Sequence, residues 1–221
     1  MAQNKPQAEK DPEVAIASAI GRVEAFIMRN SRSLLTALGV VIIVVGGFFG
    51  YKYLVAVPRM EKASAMMFAA EQQFAQDSFK LALNGDGNFA GFLQVIEKYG
   101  STGTGNVARH YAGICYLRLG QYQEALDYLT QYKGSTDDVP SALLAAQNYG
   151  LRGDVYVQMG DYAEAAKSYE KAVATSSDPL TAPYYLKKAG EVYEKLGDNA
   201  KALAAYEAVE VDYPTSMEAR D

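Results

Sequence analysis

GICYLRLGQYQEALDYL (Gly113–Leu129) opens on a glycine, then places Tyr116 three residues on, Gly120 at seven, Ala125 at twelve and Leu129 at sixteen. The frame returns in GDVYVQMGDYAEAAKSY (Gly153–Tyr169) and in GEVYEKLGDNAKALAAY (Gly190–Tyr206). Each copy reads as two antiparallel helices. Gly113, Gly153 and Gly190, with Ala125, Ala165 and Ala202, mark a crossing too close for larger side chains. Gly120, Gly160 and Gly197 end the first helix by accepting a left-handed backbone. The residues at plus three and plus sixteen fill the space above and below the crossing.

The repeat starts lie 40 and 37 residues apart, and the surplus falls in YKGSTDDVPS and TSSDPLTAP between copies. Longer connections, or helices extended by a turn, would absorb it. Upstream, GNFAGFLQVIEKY (Gly87–Tyr99) aligns with GQYQEALDYLTQY (Gly120–Tyr132), with Phe92 where Ala125 is small. Residues 60–99 therefore read as a degenerate first repeat, its long first helix running from about Met60 to Leu83. The fold class is all-α, an α-solenoid preceded by an apolar helix.

That apolar helix is RSLLTALGVVIIVVGGFFGYKYL (Arg32–Leu54), in which Ser33–Tyr51 gives 19 residues without a charge. Roughly 20 such residues cross a bilayer core of about 30 Å. A signal-peptide core is shorter, about 7–15 residues, and ends at a small-x-small site that VAVPRM does not supply. A soluble helix this long would show a polar face. The reading is a retained transmembrane anchor, with Phe48, Phe49, Tyr51 and Tyr53 at the interface and Lys52 able to snorkel. Gly46 and Gly50 form a small-xxx-small pair that would let another membrane helix approach. Three basic residues flank each side, so charge does not orient the span. An uncleaved span with a short preceding tail favours a cytoplasmic N-terminus.

Residues 1–12 read as a disordered cytoplasmic tail and 13–31 as a short amphipathic helix with Ile16, Ile20, Val23 and Ile27 on one face. That helix lies on the membrane or a partner, or it merely extends the span. The span itself is 33–57, the long helix and degenerate repeat occupy 58–105, and the three clear repeats occupy 106–221. Residues 1–57 carry net +2 and residues 58–221 net −7. An acidic body without a basic stripe argues against nucleic-acid binding.

Catalytic chemistry finds little to work with. Cys115 and His110 are the sole residues of their kinds, so no intramolecular disulfide forms and no His-rich metal site is available. GTGNVA (Gly103–Ala108) imitates a dinucleotide fingerprint but follows a helical segment rather than a strand. NGDGNF (Asn84–Phe89) imitates the start of a calcium loop, but Phe89 replaces its glycine, and it reads as a helix–helix turn. No paired acids suggest a mechanism. The expectation is a non-enzyme with no cofactor, no metal and no small-molecule substrate.

The glycine–tyrosine–glycine–alanine–aromatic frame resembles the tetratricopeptide repeat (TPR), whose period is about 34 residues. The resemblance implies a protein-binding face on the first helix of each pair. Its carboxylate-clamp positions hold His110 and Ile114, Gly150 and Asp154, and Lys187 and Glu191, so the clamp's Asn residues are missing. The implied partner face comprises Val107, His110, Ile114, Leu117, Asp154, Val157, Tyr184, Lys187, Glu191 and Glu194, and its acids favour a partner with some basic character. Span and repeats together resemble the YfgM-type ancillary subunits of the bacterial SecYEG translocon. DSFKLALNGDGNFAGFLQVIEKYGSTGTGNVARHYAGICYLRLG resembles single-span TPR proteins of Bacteroidetes-type bacteria. This implies an inner-membrane protein with a periplasmic body, working beside SecYEG and a periplasmic prolyl isomerase or chaperone. A scaffold for envelope assembly or division, a direct holdase chaperone, and a cytoplasmic body of inverted topology share these features.

Overall fold

The structure is a computed structural model that describes residues 12–220. The chain divides into two units, Met1–Val57 and Pro58–Asp221. The expected tail, apart from Pro12, lies outside the described residues.

The first unit is one helix, α1 (Pro12–Tyr51), closed by a π-helical turn over Lys52–Ala56. Asn30 departs from helical geometry (φ −110°, ψ 16°), and its amide donates to the Phe26 carbonyl at 3.0 Å. Leu35, Ile43 and Leu54 are 68, 75 and 80 % exposed. Apolar side chains on every side call for an apolar surrounding. By length and composition, this helix can cross a membrane.

The second unit is a stack of helices: α2 (Val57–Ala75), α3 (Phe79–Asn84), α4 (Phe92–Tyr99), α5 (Gly103–Arg118), α6 (Tyr122–Gln131), α7 (Val139–Met159), α8 (Tyr162–Thr175), α9 (Ala182–Leu196) and α10 (Asn199–Asp212). A 3₁₀ turn follows at Glu218–Arg220. The repeat frame maps onto α5/α6, α7/α8 and α9/α10. Gly120, Gly160 and Gly197 have φ of 74°, 79° and 75°, the left-handed stops the frame requires. Asp161 and Asp198 then cap the returning helices, accepting from the N–H of Glu164 and Lys201, each at 3.2 Å.

The crossing glycines face the residue at plus sixteen. A Cβ at Gly113 would lie 2.5 Å from Leu129 Cγ, and one at Gly153 or Gly190 would lie 2.5 Å from the ring of Tyr169 or Tyr206. Ala125, Ala165 and Ala202 are buried beside them. Part of the 40-residue interval is absorbed by α7, whose 21 residues begin well before Gly153.

The long helix expected from Met60 to Leu83 is two helices. The N–H groups of Asp77 and Ser78 turn back to the carbonyls of Phe74 and Gln73, with Asp77 left-handed at φ 56°. On an unbroken helix, Phe74 and Phe79 would point about 140° apart. The break brings their rings to 5.6 Å and places Phe74 against Phe92 and Tyr111, in a cluster that also buries Met67, Ala70 and Ala112. Phe92 is fully buried and stacks on Tyr111 at 5.2 Å.

Asn84–Phe89 is the turn from α3 to α4. The Asp86 carboxylate accepts from the N–H of Asn88 at 2.8 Å and of Phe89 at 3.2 Å, and the Asn88 bond holds its pKa below the usual carboxylate value. Gly103–Ala108 is the first turn and a half of α5, capped by the Thr102 hydroxyl, and it follows α4.

Candidate partner-binding groove

Helical spacing puts residues three and four apart on one face, and three first helices present such faces to one another. Ile114, Leu117 and Arg118 of α5, Leu151, Asp154 and Val157 of α7, and Tyr184, Lys188 and Glu191 of α9 line one open groove of about 700 Å³. Tyr122, Tyr162 and Tyr169 reach it from the second helices.

Three of its polar side chains are bonded to one another. Asp154 Oδ1 accepts from the Tyr169 hydroxyl at 2.7 Å and from Lys188 Nζ at 2.6 Å. Lys188 Nζ also stands 4.8 Å from the Tyr184 ring centre and 5.7 Å from that of Tyr169. Burial alone would lower the Lys188 pKa, but the bonds to Asp154 and Tyr184 prevail and raise it. Burial, reinforced by the Asp154 charge, pushes the Tyr169 phenol upward. Lys188 therefore carries its charge and Tyr169 its proton at neutral pH, and the three side chains form one fixed group.

Six expected face residues meet in this groove: Ile114, Leu117, Asp154, Val157, Tyr184 and Glu191. Val107 lies elsewhere, in a recess with Met67, Glu71 and Thr104. Lys187 lines a recess beside Met217 and Glu218 that shares Tyr184, Lys188 and Glu191 with the groove. Glu194 does not line the groove; it bonds Tyr206, whose phenol is pushed up first by burial and then by this carboxylate.

His110 requires a correction: it is 1 % exposed and belongs to the core. The extended start of α7 places Asn148 over it, with Asn148 Nδ2 3.2 Å from His110 Nδ1. An amide nitrogen only donates, so Nδ1 accepts and the imidazole is neutral. Burial lowers its pKa to about 4, against a smaller upward pull from Gln147. Cys115 is also buried, and burial raises its thiol to about 12. Nothing lies within 4 Å of a Cβ added at Gly46 or Gly50.

The expected acidic character of the face also changes. Asp154 is taken up by Lys188, and Arg118 and Lys195 join the lining beside Glu191. The groove mixes apolar side chains with polar ones and carries charges of both signs. Lys188 was within reach of sequence reasoning, one helical turn past Tyr184, but the clamp frame directs attention to Lys187 and Glu191 instead. Among the described residues, no group of three or more His, Cys, Asp or Glu converges to hold a metal.

Two profiles described as tetratricopeptide repeat match the chain, over residues 106–178 and 151–217. No curated protein matches it. Among solved structures, a crystal structure of MamA protein superposes with a TM-score of 0.55 at 18% identity, covering 70% of this chain and 74% of that one. A second crystal structure of MamA gives 0.52 at 18% identity, covering 66% and 74%. At that identity the likeness concerns the fold alone. Crossing glycines, left-handed stops, stacked helix pairs and matching profiles agree: the chain is a tetratricopeptide repeat protein.

Proposed function

We propose that this chain is a membrane-anchored, non-catalytic TPR scaffold, with its body on the periplasmic side of a bacterial inner membrane. It holds a protein partner beside the SecYEG translocon, a periplasmic prolyl isomerase or chaperone being the folding factor served. The observation that carries the reading is the groove between α5, α7 and α9, joined in one chain to a helix able to cross a membrane. TPR arrays bind proteins on such faces, and a tether raises the local concentration of that face at one membrane. Leu117, Val157 and Tyr184 are the apolar anchors, and Glu191 with Lys195 offers charges of both signs at the rim. Gly46 and Gly50, with open space around them, are the positions for packing against another membrane helix.

Affinity purification of the full chain from gently solubilised membranes tests this. Translocon subunits and a periplasmic folding factor should co-purify, and Leu117→Glu should lose the folding factor while remaining folded. Gly46→Leu with Gly50→Leu should lose the translocon alone. Recovery of division or envelope-assembly proteins in their place would overturn the translocon reading.

A further inference from the structure

A separate cavity of about 130 Å³ opens where α6 ends and the 132–138 connection passes α7 and the end of α8. It shares no lining residue with the groove. Tyr132, Thr136, Asn148, Tyr149, Arg152 and Thr175 face it, and among the described residues no acidic one does. Arg152 Nε is buried and has no hydrogen-bond partner, and its guanidinium contact is the Tyr149 ring, 5.3 Å away. Among the described residues it joins no ion pair.

A buried guanidinium N–H without an acceptor has lost its water with no hydrogen bond to offset the loss. The neighbouring groups complete a donor set. Asn148 gives one amide hydrogen to His110 and keeps the other, and the Thr136 hydroxyl adds a neutral donor. Thr175 is turned away, its hydroxyl donating to the Lys171 carbonyl at 2.7 Å. Planar guanidinium donors match the spacing of two oxygens on one anionic group. The volume is below the roughly 300–1,000 Å³ of pockets that enclose whole drug-sized ligands. It suits a single anionic group.

We propose that this cavity is an oxyanion site, in which Arg152, assisted by Thr136 and Asn148, holds one phosphate or carboxylate group. It needs neither the groove nor the anchor to be correct, so it stands or falls separately from the function proposed above.

The test is thermal melting of the detergent-solubilised full chain at constant pH and ionic strength, with inorganic phosphate or acetate replacing chloride. A saturable rise in melting temperature is expected with at least one anion, and the anion that gives it identifies the group. Arg152→Gln should weaken the response by about tenfold, because the charge-assisted bond is lost. Thr136→Val, which keeps the arginine, should weaken it less and serves alone if Arg152→Gln does not fold. No shift beyond chloride, or a shift unchanged in the folded variants, overturns the proposal.

Discussion

Ala165 has no exposed surface and lies where α7 and α8 cross, beside the contact of Gly153 with the Tyr169 ring. Ala165→Leu should destabilise the body by about 1–3 kcal/mol through overpacking. Ala174→Leu, on the exposed side of the same helix, should change stability far less, and equal losses in thermal melts would mean the crossing is wrongly placed. His110 gives a second prediction. Its folded pKa of about 4 lies below the ordinary 6.5, so the unfolded chain binds the proton first as pH falls. Stability is then full above about pH 6.5 and lost progressively toward pH 4, by up to about 3 kcal/mol. Denaturant titrations across that range should show the slope, and His110→Gln should flatten it. The alanines were legible in sequence because a small residue recurred at one offset. The burial of His110 was not, because it depends on how far α7 extends, and that position carries no local mark.

At the scale of elements, the repeat turns are where sequence and backbone agree most closely. Gly160 sits at φ 79° with open space around it, so its role is conformational rather than steric. Gly160→Ala should therefore destabilise by about 1 kcal/mol. Gly103→Ala, also unobstructed but at the first residue of α5 without a positive φ, should be neutral or slightly stabilising. Chemical denaturation of the two variants side by side checks the contrast. The break between α2 and α3 escaped the sequence because FAQDSF contains neither glycine nor proline; only the five-residue interval between Phe74 and Phe79 hinted at it. In the groove, Ile114 and Leu117 of α5 and Asp154 and Val157 of α7 were expected from the repeat resemblance, which assigns the partner face to the first helix of each pair. The Asp154–Lys188–Tyr169 group was not, since it joins three helices whose registers the sequence does not align.

For the whole molecule, the apolar helix of the first unit predicts behaviour in lipid. With Leu35, Ile43 and Leu54 largely exposed, the full chain should stay with membranes through carbonate extraction, and a chain lacking residues 1–57 should not; release of the full chain would remove the anchor. The second unit has another property that follows from its order. From α5 to α10, each helix packs mainly against the next one or two along the chain. Such an array closes by short-range steps and has little need of distant segments. A polypeptide delivered lengthwise through a narrow opening can therefore settle one helix pair before the next emerges. The left-handed glycines act as punctuation in that process, marking where each length of chain doubles back on itself.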